Sequence, residues 1–475
     1  MNKLLRIGML VLLGLLAPVL STSAQEPEKV FKAGVAKTNI SPWLGLSIVG
    51  YMNDRKVAGI HDEIHVRALV LDDGTNTLAF AVVDSCLVPR EILDAAKARV
   101  PSAAGIPVEN MLISATHTHS APCTYPGFQS QTDPEYDAFL VRRIADAILQ
   151  AWQKRVPARI GWGSGSVPDE VFNRRWFMKE GTIGPNPFGK EGETVRMNPP
   201  GASPDMVKPA GPIDPEVAFI ALETVDGKPL GLLANYSLHY VGGTVGTDIS
   251  ADYFSLFADE IGRLLGGDDS FLAMMSNGTS GDINNINFVS PRGPRKPYEQ
   301  MNIVANKVAA EVHRAYFDVD FQDWVPLKSA QREIDLGVRK PTEEEVAEAK
   351  EILAAAEGRE LQGLREIYAN ETVKLADFPD SKDLILQAFQ IGDLGIAAIP
   401  CEVFVEIGLA IKNQSPFGQS FTIELANGYN GYLPTKEQHS YGGYETWRAA
   451  SSYLEVNAAE VIQTTVLELL AALKQ

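Results

Sequence analysis

Short apolar runs that stop abruptly at polar residues or glycine recur along this chain. Residues 78–84 (LAFAVVD), 111–119 (MLISATHTH), 230–239 (LGLLANYSLH), 271–277, 394–402 and 421–428 all follow this grammar. Near-continuous apolarity over so few residues predicts strands buried on both faces. Helical periodicity separates some of them at 91–99, 134–155, 253–265 and 299–316, and predicts a closing amphipathic helix over 458–473. Strands alternating with helices predict an α/β fold: a mixed, partly parallel β-sheet core flanked by helices, in one large domain over residues 25–475. In such sheets the polar residues at the strands' carboxyl ends face a common crevice, which makes those ends the place to look for chemistry.

Other stretches break the pattern. Residues 1–24 combine Lys3 and Arg6, an apolar run over 9–20 and small residues at 21–24, which predicts a signal peptide and a secreted or periplasmic protein. No later segment reads as transmembrane. Residues 167–212 are rich in proline and glycine with little periodicity, the mark of a functional or disordered loop. Residues 341–374 read as a surface helical excursion. Thr342 and Glu345 form a capping box, Val346, Ala349, Ile352 and Leu353 form an apolar stripe, and the charge run is read as a solvated face.

Composition narrows the classes. An apolar fraction of 45% excludes wholesale disorder. With 60 acidic against 42 basic residues the formal charge is −18, which repels phosphate backbones and excludes a nucleic-acid partner. The three cysteines, Cys86, Cys123 and Cys401, are too few for a disulfide scaffold and read as small buried residues.

The sharpest chemical signal is Thr116-His117-Thr118-His119-Ser120, which holds two of the chain's seven histidines. In extended backbone, residues two apart point to the same side, so both imidazoles converge on one metal or divide ligation and proton transfer between them. Catalytic zinc takes three protein ligands, often two histidines and a carboxylate. His239 and Glu402, each ending its own strand, are candidates to complete such a set. The Gly-, Asn- and Asp-rich segment 276–285 and the tyrosine-bearing turns at 429–432 and 441–444 can hold an anion or orient a substrate. Arg174, in Asn173-Arg174-Arg175, can polarise a carbonyl or pair with a carboxylate.

Taken together and in this order, these segments resemble the neutral, non-lysosomal ceramidase family and its N-terminal catalytic domain. The resemblance rests on THTHS, on Gly50-Tyr51, on Gly59-Ile60-His61 and on Val83-Asp84-Ser85-Cys86. It continues through Asn173-Arg174, Ser237-Leu238-His239, segment 276–285, Pro400-Cys401-Glu402 and residues 428–444. It implies a Zn2+ site made by His117, His239, Glu402 and Tyr432, with His119, Arg174 and Tyr444 around the scissile amide. The implied activity is cleavage of an N-acyl amide in a ceramide-like lipid by zinc-activated water. Three departures stand out. Asn284 occupies the place of a serine that the family uses in hydrolysis. The family's C-terminal immunoglobulin-like domain is expected to be missing, and Cys401 replaces a usual glycine. Two alternatives stay open: a zinc hydrolase of another secreted amide or ester, such as an acylated sugar, and a non-catalytic binding protein on the same fold. An apolar cleft favours the lipid; a shallow polar one favours the alternative substrate.

Overall fold

The computed structural model describes residues 29–475, so the expected signal peptide at 1–24 lies outside the described residues. Eight strands form one sheet: β1 (Lys32–Asn39), β2 (His65–Asp72), β3 (Thr77–Val83), β4 (Met111–Ala115), β5 (Val156–Ser166), β6 (Glu216–Thr224), β7 (Pro229–Tyr236) and β8 (Leu272–Asn277). Their spatial order is β8-β7-β6-β5-β1-β2-β3-β4. A second sheet runs β9 (Leu327–Gly337), β10 (Ser381–Ile391), β11 (Leu394–Ala398) and β12 (Gln419–Ile423).

Parallel pairing is confined to sheet edges: β3 with β4, β7 with β8, and β11 with β12. The pairs between them are antiparallel. The mixed, partly parallel sheet expected from the sequence is therefore present, with antiparallel pairs supplying most of it, among them the hairpins β2–β3, β6–β7 and β10–β11. Their turns carry the expected chemistry. Asp73 Oδ1 accepts from the Thr75 and Asn76 amides between β2 and β3, and Gly227, at φ 81°, follows Asp226 between β6 and β7.

Strand alternation then sorts the core into layers. On β2, Val66, Ala68 and Val70 belong to the cluster under the helices, while Leu69 and Leu71 belong to the cluster between the sheets. Helices α1 (Arg90–Lys97) and α2 (Pro134–Gln153) cover one half of the first sheet; α3 (Asp252–Leu265) and α4 (Glu299–Tyr316) cover the other. Asp133 starts α2 by accepting from the Glu135 and Tyr136 amides, with Pro134 in the first turn. After a helical hairpin, α5 (Glu343–Ala354) and α6 (Gly363–Ala376), the chain packs α7 (Val405–Gln414) and α8 (Ala458–Lys474) on the outer face of the second sheet. The order of layers is helix, sheet, sheet, helix.

Two stretches differ from their sequence reading. Residues 167–212, expected as an irregular loop, carry a small antiparallel sheet of Val195–Met197, Arg175–Met178 and Met206–Pro209. Strands this short and this exposed leave no readable period. In the 341–374 excursion the capping box is present and α5 is mostly solvated, but α6 buries Ile367, Tyr368, Glu371 and Leu375. Its charges are therefore not all on a solvated face. All three cysteines are buried and unpaired.

The segment after β12 ties the two far edges of the first sheet together. The Ala115 amide at the end of β4 donates to Leu425 O (3.2 Å), and the Glu424 amide donates to Asn277 O at the end of β8 (3.2 Å). This closure brings distant strand ends to one place. Between the sheets, Phe80 and the fully buried Phe389 pack with ring centroids 5.1 Å apart. Phe389→Ala leaves a cavity at that contact and is expected to cost about 3–5 kcal/mol, read as a lower urea midpoint with an unchanged slope.

Candidate active site

His117 follows β4, His239 follows β7, and Glu402 opens a two-residue strand after β11. Their ligand atoms lie within 4.8 Å of one another. The two Nε2 atoms are 2.8 Å apart, and Glu402 Oε2 is 3.3 Å from His117 Nε2 and 3.8 Å from His239 Nε2. All three side chains are buried.

Contacts behind the cluster fix which atoms face inward. His117 Nδ1 donates to Cys86 O (2.6 Å) and His239 Nδ1 donates to Ser280 O (3.0 Å), which leaves each Nε2 as an acceptor. Tyr429 donates to Glu402 Oε1 (2.9 Å), while Oε2 is buried with no hydrogen-bond partner. Three lone pairs crowded away from water repel one another unless a positive charge lies among them. The separations straddle the roughly 3.3 Å expected between ligands at zinc–nitrogen distances in a tetrahedron. The donor set of two imidazoles and one carboxylate thus fits a divalent cation. The same demand shows in the titration. Burial opposes charge on His117, but Cys86 and Glu402 raise its pKa well above the ordinary imidazole value. Burial and the neighbouring charge of His117 hold His239 and His119 well below it.

The convergence of His117 and His119 has a different cause from strand alternation. β4 ends at Ala115, and His117 adopts a left-handed backbone with φ 71°. That conformation costs a non-glycine residue about 1–3 kcal/mol, and the bonds from its amide to Ser85 O and from its ring to Cys86 O hold it there. His119 Nε2 comes within 3.2 Å of His117 Nε2, and its ring stacks on Tyr240 with centroids 3.7 Å apart. Gly50 makes room for that ring: a Cβ there would lie 2.5 Å from His119 Cγ.

Tyr432 pairs with Glu402 in a short parallel ladder, and its ring lies 5.7 Å from that of Tyr444. Burial, then Glu402, raises the Tyr432 pKa well above the phenol value, so its hydroxyl stays protonated. His117, His119, Glu402, Tyr432 and Tyr444 share the wall of a cavity completed largely by apolar and aromatic residues such as Leu87, Tyr125 and Phe128. Arg174 stands one step behind this wall. Its Nε donates to Glu445 (2.9 Å), its Nη2 donates to Gly281 O (2.8 Å), and its Cζ is 5.4 Å from the Tyr432 ring centre. Burial works against its charge, but Tyr432, Glu445 and Glu402 together raise its pKa well above the ordinary value. Asn284 is not brought to the cavity wall. Its amide donates to Asn198 (2.7 Å) and its Oδ1 accepts from the Ile286 amide, so both ends are spent on local loop structure.

Several supporting residues escaped the sequence reading. Glu445 is fully buried between Arg174 and Arg175. Glu424 accepts from Ser280 Oγ (2.6 Å) and the Val403 amide (2.7 Å), and so braces both the 276–285 loop, whose Ser280 carbonyl holds His239, and the segment that carries Glu402. Its position at the end of β12 was a usable signal. Nothing in the sequence marks Glu371, on α6, which also lines the cavity.

Comparison with known proteins places this geometry. A neutral ceramidase of Pseudomonas aeruginosa is 23% identical over 510 aligned residues, covering 92% of this chain and 71% of that protein. A neutral ceramidase of Mycobacterium tuberculosis is 25% identical over 273 residues, covering 53% of this chain and 39% of that one. The crystal structure of the Pseudomonas aeruginosa neutral ceramidase superposes with a TM-score of 0.72 at 19% identity, over 94% of this chain and 75% of that one. That likeness is one of fold. The profile of the family described as "Neutral/alkaline non-lysosomal ceramidase, N-terminal" matches residues 31–287, and with more than half of its length so matched, this chain belongs to the neutral/alkaline non-lysosomal ceramidase family.

Proposed function

We propose that this protein is an exported, zinc-dependent amide hydrolase that cleaves the N-acyl bond of a ceramide-like lipid. The observation that carries the reading is the buried, unpartnered Glu402 Oε2 facing two histidine Nε2 atoms whose other nitrogens are already tied to backbone carbonyls. His117, His239 and Glu402 would hold the ion, with Tyr432 beside Glu402 as a further contact. Zinc bound there supplies a Lewis acid that polarises the amide carbonyl and lowers the pKa of water.

The chain's own groups have distinct tasks. His119, buried and held neutral, accepts a proton at Nε2 and returns one to the departing amine. The Tyr444 hydroxyl, on the same wall, donates to the amide oxygen as negative charge develops there. Arg174 acts through its fixed positive charge behind Tyr432 and through the bonds that seat Glu445 and the 276–285 loop. The aromatic and aliphatic wall excludes water and suits an acyl or alkyl chain. This favours the lipid amide over a small polar substrate. An acylated sugar is the second reading, and a neighbouring cavity that shares Tyr444 and is lined in part by Glu193 and Arg196 supports it. Among the described residues no helix is long and apolar enough to cross a membrane.

Four outcomes test these assignments. Metal analysis of the reconstituted protein is expected to give close to one zinc per chain. Both metal and activity should be lost in His117→Ala and Glu402→Ala while far-ultraviolet circular dichroism is retained; a metal-free but active variant would overturn the reading. Tyr429→Phe removes the hydrogen bond that orients Glu402 and is expected to weaken zinc binding about 10–100-fold, measured by chelator competition. Labelled ceramide incubated with the zinc-loaded protein should release fatty acid. Release from an acylated sugar alone would select the second reading.

A further inference from the structure

The cavity lined by His117 and Glu402 carries one further anionic side chain. Glu371 lies on α6, is 1% exposed, and lines the same cavity as His117 and Glu402 without belonging to their cluster. A carboxylate is costly to bury unless it is bonded, and Glu371 is bonded twice. Oε1 accepts from Lys374 Nζ (2.9 Å), and Oε2 accepts from the Ala450 amide (3.0 Å). An ionised carboxylate offers about four acceptor positions, so about half of its capacity is unspent.

The helix that carries it is built into the cavity wall. Lys374 Nζ also donates to Phe128 O (2.6 Å), and the Leu361 amide, in the turn before α6, donates to Gln129 (2.9 Å). The Tyr368 ring lies between Phe128, with centroids 6.3 Å apart, and Trp447, at 5.4 Å. Phe128 and Ala450 are themselves cavity residues. The helix is thus stitched to both loops that flank the site. Securing Ala450 alone would need only a neutral acceptor. The structure instead places a carboxylate, paired with Lys374, in the cavity wall beside its apolar and aromatic residues.

We propose that Glu371 is a specificity-determining residue whose carboxylate accepts a hydrogen bond from a hydroxyl or amine of the substrate, at a point separate from the scissile amide. The ligand class is an amide with a long apolar chain and at least one such donor. This rests on the hydrolase reading above and adds to it a reason for choosing among amide lipids.

The test uses two long-chain N-acyl amides of equal length, one with hydroxyls on the amine portion and one without. The zinc-loaded wild type should favour the hydroxylated amide by about tenfold or more in kcat/KM, as expected for one hydrogen bond to a charged acceptor. Glu371→Gln should erase most of that preference through KM, with little change toward the plain amide. Lys374→Met disturbs the helix anchor but keeps the carboxylate; it should lower Tm and preserve the preference. A purely structural role predicts the opposite: both amides lose activity in parallel in Glu371→Gln. Binding of the two amides, followed by tryptophan fluorescence, reads the same ratio without turnover, so failure of the reaction and failure of this proposal are separable. Equal affinity of the wild type for both amides would overturn it, whether or not the variants fold.

Discussion

Three lone-pair donors held within 4 Å of one another in a buried place are unstable without positive charge, and much of the molecule serves to hold them so. Each comes from a different strand end. His117 follows β4 at one edge of the first sheet, His239 follows β7 beside the opposite edge strand, and Glu402 follows β11 of the second sheet. The segment after β12 spans this distance by bonding Ala115 on one side and Asn277 on the other. Closure of the sheet edges and assembly of the site are therefore one structural event.

Around that centre the supporting bonds are directional. Backbone carbonyls select the tautomers of both histidines, Tyr429 selects which oxygen of Glu402 faces inward, and Glu424 braces the 276–285 loop behind His239 and the segment that carries Glu402. The left-handed backbone of His117 is part of the same arrangement, since it turns the imidazole out of the strand register. Arg174, Arg175 and Glu445 form a second buried charge group with a net positive charge close to the tyrosine wall.

The cavity beyond the three candidate ligands is shaped by segments with the least regular sequence. The stretch 167–212 supplies Arg174 and, through Glu193, bonds to the Gly443 amide and the Trp447 indole on either side of Tyr444. The helical hairpin supplies Tyr368 and Glu371. Connections of this kind run over a fixed scaffold and lend their side chains to the cavity wall.

Local chemistry was enough to identify the strand-end grammar, the capping box at Thr342, the histidine pair, and the order of motifs that marks the family. Each is written in a few neighbouring residues. Periodicity could not tell parallel from antiparallel neighbours in strands buried on both faces, so the hairpins came forward only with the sheet order. It also placed His117 and His119 on one side of a strand, whereas a backbone turn unites them. Asn284 and the charges of 341–374 show the same limit, because a motif position does not say which neighbour a side chain meets. By itself the sequence determined which residue types stand at the strand ends and which faces are apolar. Only the tertiary structure decided that Glu402 joins two histidines more than 160 residues away, that Arg174 is spent on Glu445, and that Glu371 reaches the cavity. Those outcomes depend on sheet closure and burial, which arise from packing summed over the whole chain and leave no local trace.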